Sequence, residues 1–183
     1  MDRPVRKDIR LKNFDYSRNG TYFITVCTKN KMCILWDNND KYKTIPTENN
    51  DVSNVGTAIG RPNCNTGKIL LSEYGRYARQ GLMNIHEHYS MVYVDKYVIM
   101  PNHIHMILRI DMMPDPGGRP MAVPTISQVI NQFKGWVSKK SGFPIWQRSF
   151  YDRIIRNDKE FADVWQYIEN NPVNWQNDEY YVG

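Results

Sequence analysis

The chain has 183 residues, enough for one domain with a proper core. Its net charge of +5 and pI near 9.0 suit a nucleic-acid partner without requiring one. Cys27, Cys33 and Cys64 are odd in number and form no Cys-x-x-Cys, which excludes a disulfide framework and a zinc ribbon. The N-terminus has no apolar signal core and no run approaches transmembrane length, so a soluble cytoplasmic protein is expected.

Residues 1–20 read as a basic arm. Arg3, Arg6, Lys7, Arg10 and Lys12 are placed to hold phosphates, or simply to be solvated. Thr21 to Thr28 is rich in β-formers and reads as a buried central strand. Residues 37–67 shift to Asn, Thr, Gly and Pro and read as a flexible polar loop, with a short hairpin around Lys43 as an option. Gly60-Arg61-Pro62 recurs as Gly118-Arg119-Pro120, a repeat better read as connector than as DNA contact.

Ser72 is a plausible N-cap for a helix running to about Ile85, with His86 and His88 following it as exposed residues. Two apolar strands, Tyr93 to Met100 and Ile104 to Ile110, flank a Pro101-Asn102 break. His103 and His105 are two apart, so both imidazoles leave one face while Ile104 leaves the other. Such a pair is often only a polar face. In apolar surroundings it is also two points of a metal site that still lacks a third ligand.

Thr125 to Ser138 is predicted as a second helix, buried through Ile126, Val129, Ile130, Phe133 and Val137. Lys134 is expected on its other side, as a solvated residue or facing a DNA backbone. Ile145 to Arg156 reads as an extended segment ending in a strand, made basic by Arg148, Arg153 and Arg156, which are assigned to DNA binding with Lys134. Asn157 with Glu160 resembles a capping box for a last helix, which Pro172 ends. Phe161, Val164, Trp165 and Ile168 form its apolar stripe, and Tyr167 and Asn171 are neighbours at the stripe's edge. By spacing alone Tyr167 reads as an edge aromatic sealing the core.

Three stretches carry a family resemblance. Met100-Pro-Asn-His-Ile-His105 resembles the histidine–hydrophobic–histidine signature of the HUH endonucleases, in particular the single-tyrosine transposases and their REP-associated relatives. Ile9 to Val26 resembles the opening of the REP-associated tyrosine transposases, and Tyr167-Ile-Glu-Asn-Asn-Pro172 with Trp175 resembles their C-terminal motif. The resemblance covers nearly the whole chain apart from residues 37–67. It implies that Tyr167 is the nucleophile and that Asn171, one turn later, joins His103 and His105 on a divalent ion, Mg²⁺ or Mn²⁺. It further implies cleavage of single-stranded DNA carrying a REP-type hairpin, through a 5′-phosphotyrosine intermediate with a free 3′-OH. A monomer and a homodimer are both compatible with it.

Strand, helix, strand, strand, helix, strand, helix is a split βαβ order. It predicts an α+β, ferredoxin-like antiparallel sheet with helices on one face and a C-terminal helix carrying the nucleophile over the histidines. Two other functions fit the same elements. A sheet with surface aromatics can bind single strands by stacking alone, and a metal hydrolase using activated water would leave no covalent adduct.

Overall fold

The computed structural model describes residues 19–37, 70–111 and 123–182. Residues 1–18 of the basic arm, residues 38–67 of the polar loop, including the optional hairpin around Lys43, and both Gly-Arg-Pro tripeptides lie outside those residues.

The element order is the expected one. Strand β1 spans Gly20–Cys27, helix α1 Glu73–His88, strand β2 Val92–Ile99 and strand β3 His103–Ile110. Helix α2 spans Ile126–Ser141, strand β4 Tyr151–Ile155 and helix α3 Asp158–Asn170. The strands form one sheet in the order β2-β3-β1-β4, antiparallel throughout, which is the ferredoxin-like arrangement.

Local chemistry sets the helix starts. The Ser72 side chain accepts from the Gly75 N–H, Thr125 forms a reciprocal capping box with Gln128, and Asn157 accepts from the Glu160 N–H. Helix α2 stops at Gly142, whose φ of 78° lies in the left-handed region that glycine enters without penalty. At Gly75 the helix presses on the backbone of Leu35. A Cβ there would lie 2.1 Å from the Leu35 carbonyl oxygen, so no larger residue fits without moving one of the two segments.

The sheet separates two cores. Tyr22, Ile24 and Val26 of β1, with Ile104, Met106, Leu108 and Ile110 of β3, face α1 and α2. Each such side chain, fully buried, stabilises the fold by roughly 1.5–3 kcal/mol before conformational entropy is counted. The opposite face carries Phe23, Thr25, His103, His105 and Ile107. Helix α3 docks there through Val164 and Ile168, against Val98, Met100 and Ile107. A register shift between Val94 and Lys96 turns Lys96 toward α3, where its ammonium pairs with Glu169 at 3.1 Å and lies over the Trp165 ring at 4.2 Å. The sheet thus keeps helices α1 and α2 on one side, and α3 alone brings its edge across the histidine face.

His86 and His88 fall inside the last turn of α1 rather than after it. The cause is that the helix runs to the Tyr89 cap, whose N–H still reaches the Ile85 carbonyl. The His86 ring stacks with Tyr93 at 4.7 Å.

Candidate metal and nucleophile site

Strand pairing places His105 opposite Thr25, and Thr25 opposite Tyr151 on the far strand. The Thr25 Oγ1 lies 2.8 Å from His105 Nδ1. His103 is held by the turn residue before it. The Asn102 amide nitrogen donates to the Tyr180 carbonyl at 2.8 Å, so its Oδ1 is the acceptor that meets His103 Nδ1 at 2.8 Å. His103 therefore carries its proton on Nδ1 and presents a lone pair on Nε2. The Thr25 hydroxyl can accept from His105 Nδ1, which would leave a lone pair on the second Nε2 as well.

The two Nε2 atoms are 3.0 Å apart, and both rings are essentially sealed, at 0% and 1% exposure. Burial pushes the His103 pKa from 6.5 down to about 3, with nearby Lys31 adding to the fall. His105 is pushed well below its ordinary value by burial and then by His103, against an opposing pull from Asp178. Both imidazoles are thus neutral, as metal ligation requires. Two adjacent ligands of an octahedral ion at about 2.1 Å stand about 3 Å apart, the spacing of the two Nε2 atoms.

Helix α3 contributes two side chains one turn apart. Asn171 is 3% exposed and its amide nitrogen donates to Asp178 Oδ2 at 2.8 Å. Its Oδ1 is buried without a hydrogen-bond partner. Such an orphaned acceptor normally costs about 1–3 kcal/mol, and a cation is one way to satisfy it. Tyr167 is 42% exposed, with its hydroxyl 3.2 Å from His105 Nε2 and its ring edge-on to Phe23 at 5.9 Å. Its pKa is pushed up to about 12, first by burial and then by Asp178 and Glu179, while a hydrogen bond from Asn171 pulls the other way.

The segment after the Trp175–Asn177 turn returns over the histidines, which the sequence reading did not foresee. The Tyr180 ring lies 4.6 Å from His103 and 5.8 Å from His105, with the Lys31 ammonium 5.7 Å from its centroid. One donor atom each from His103, His105 and Asp178 falls within 4.8 Å of the others. Asp178 is a candidate ligand that the sequence reading did not include. Its only signal is an acidic side chain a few residues beyond Pro172, in a stretch without periodicity.

Tyr167 stands between two open grooves. One, of about 650 Å³, runs along Asp163, Asn170, Asn171, Asn174 and Asp178. The other, of about 460 Å³, is lined by Phe23, Thr25, Tyr151, Arg153 and Tyr180. Arg153 therefore borders the Tyr167 groove, and Arg148 and Arg156 are exposed. Tyr151 also borders it, but lies two strands from β3, about 10 Å away at the usual strand spacing.

Lys134 is a correction. It does not lie on an outer edge of α2 but is only 9% exposed. Its ammonium donates to the carbonyls of Gln147 at 2.5 Å and Arg148 at 3.1 Å, with Ser149 at 3.4 Å. Its spacing, four after Ile130 and three before Val137, already put it on the buried stripe.

No family model matches the chain. It is 32% identical to an uncharacterized protein of Haemophilus influenzae over 97% of this chain and 93% of that one. It is 30% identical to a proposed REP-associated tyrosine transposase of the same organism, over 58% of this chain and 63% of that protein. A solved REP-associated tyrosine transposase, bound to a REP hairpin, shares the fold with a TM-score of 0.55 over 91% of this chain, at 18% identity and 74% coverage of that chain. The shared architecture is the ferredoxin-like, four-stranded antiparallel sheet with its three helices. In sequence and in fold the chain is similar to REP-associated tyrosine transposases. No helix among the described residues is long and apolar enough to cross a membrane.

Proposed function

We propose that this protein acts as a REP-associated tyrosine transposase, a metal-dependent endonuclease and strand transferase for single-stranded DNA carrying a REP-type hairpin. The observation that carries the reading is the Tyr167 hydroxyl 3.2 Å from His105 Nε2, which is itself 3.0 Å from His103 Nε2, with Asn171 one helical turn from Tyr167 and its buried Oδ1 without a partner. A nucleophile and an electrophilic centre must lie close together for in-line attack on phosphorus. His103, His105 and Asn171 would hold the ion, Mg²⁺ or Mn²⁺. When bound, it would offset the charge of the scissile phosphate and favour the phenolate.

The chain's own groups do the rest. Tyr167 loses its phenolic proton, and its oxygen bonds to phosphorus as the phosphorus–O3′ bond breaks. The departing 3′ oxygen takes up a proton, leaving a free 3′-OH and a 5′-phosphotyrosine. The covalent bond conserves the phosphodiester's energy for later joining, so no nucleotide is consumed. A high phenol pKa in the metal-free state means that Tyr167 is not ionised until the local charge changes. Arg148, Arg153 and Arg156 would steer the strand toward the groove, with the arm residues Arg3, Arg6, Lys7, Arg10 and Lys12 holding the hairpin's phosphates.

The relative bound to a REP hairpin supports the substrate class. The test is incubation with end-labelled hairpin single-stranded DNA and Mn²⁺. A 3′-OH fragment together with a protein-linked fragment is expected. Binding without cleavage would favour a stacking module, and cleavage without any protein-linked fragment would favour a water-using hydrolase.

A further inference from the structure

We infer that Asp178 is itself a ligand of the ion, so that the segment after α3 completes the metal site with an anionic donor. The inference rests on the metal reading above and extends it to a residue outside both the histidine pair and the Tyr167–Asn171 turn. Geometry is the first ground. A carboxylate oxygen of Asp178 lies within 4.8 Å of the donor nitrogens of His103 and His105, and Asp178 Oδ2 receives the Asn171 amide nitrogen at 2.8 Å. That bond turns Asn171 so that its amide oxygen, buried and without a partner, is the atom left to coordinate. The four donors are then two imidazole nitrogens, one amide oxygen and one carboxylate oxygen.

Charge is the second ground. Two imidazoles and an amide are all neutral, and the three residues are at most 3% exposed. A divalent ion held by them alone would keep its full charge in a nearly dry site, with the Lys31 ammonium stacked on the Tyr180 ring that covers it. One carboxylate ligand halves that charge. The placement is built rather than incidental. Asp178 Oδ1 accepts from the Tyr180 N–H at 2.7 Å, and the Tyr180 carbonyl accepts from Asn102, the residue that orients His103. Outer and inner groups of one metal site are commonly tied in this way.

The experiment is calorimetric titration of the full chain with Mn²⁺ in DNA-free buffer, with the melting temperature as a second readout. Asp178→Asn keeps an oxygen to accept from the Asn171 amide but removes the charge. It should weaken Mn²⁺ binding by about tenfold or more, while His103→Ala abolishes it. Asp178→Cys should reverse the preference of the site from Mn²⁺ toward Cd²⁺, because a thiolate is a soft ligand. If Asp178→Asn binds Mn²⁺ within about twofold of the unaltered chain while His103→Ala does not bind, Asp178 only orients Asn171 and the inference fails alone. If Asp178→Cys gains nothing for Cd²⁺, it fails as well. Should the unaltered chain take up no Mn²⁺ and gain no thermal stability from it, the metal reading and this inference fall together.

Discussion

Replacing Lys134 with Met separates two accounts of that residue. Met keeps most of the side chain's length and apolar volume, so the packing of α2 should survive. What is lost is an ammonium bonded to the Gln147 and Arg148 carbonyls at 2.5 and 3.1 Å, with Ser149 at 3.4 Å too long to weigh heavily. Charge-assisted hydrogen bonds of this kind are worth about 1.5–3 kcal/mol each. Two of them give about 3–6 kcal/mol, and relief of the buried lysine's desolvation returns part of that, leaving a loss of about 3 kcal/mol. The segment that loses its anchor leads directly into β4, the strand bearing Arg153. For a domain of this size that is a fall of about 6–12 °C in melting temperature. The assay is thermal and urea denaturation, paired with the salt dependence of hairpin binding. The structure's account expects the drop in stability with an unchanged salt slope. Unchanged stability with a slope lower by about one would mean that Lys134 meets a phosphate, and the reasoning would be refuted.

His103→Ala and His105→Ala should each abolish cleavage while leaving most hairpin affinity, which phosphate contacts supply; cleavage at the unaltered rate by either variant would remove the metal assignment. The metal-free protein should lose stability in mild acid. Both imidazoles have depressed pKa values in the fold, whereas the unfolded chain takes up their protons near 6.5, so the stability present above pH 6.5 declines below it by up to about 1.4 kcal/mol per pH unit per histidine. Chelated samples melted between pH 7 and 5 check this, and a flat melting temperature would contradict it. Deleting residues 1–12 should weaken hairpin binding and lower its salt slope, since Arg3, Arg6, Lys7, Arg10 and Lys12 leave with them; an unchanged slope would make the arm a passive tail.

Legibility tracked periodicity. Alternation placed both histidines on one face of β3, and helical spacing placed Tyr167 beside Asn171, because both follow from backbone geometry alone. Caps at Ser72 and Asn157 were readable for the same local reason. Asp178 was not, because its position depends on the chain's return after Pro172. That return is held by contacts far apart in sequence, such as Asn102 to Tyr180 and Tyr180 on the imidazoles. Lys134 was misplaced for another reason. A lysine's charge points to an outer face, but the spacing puts Lys134 on the buried stripe, where backbone carbonyls satisfy its ammonium.

The claim at the centre is that Tyr167 forms the covalent bond to DNA. Tyr151 borders the same groove and is the competitor. The direct measurement is mass-spectrometric mapping of the protein–DNA adduct trapped on hairpin single-stranded DNA with Mn²⁺, run beside Tyr167→Phe, which removes one oxygen and keeps the ring against Phe23 and His105. The account predicts phosphotyrosine on the peptide carrying Tyr167, and no adduct from a Tyr167→Phe protein that still binds the hairpin. Phosphotyrosine on Tyr151, or an adduct that survives Tyr167→Phe, would contradict it.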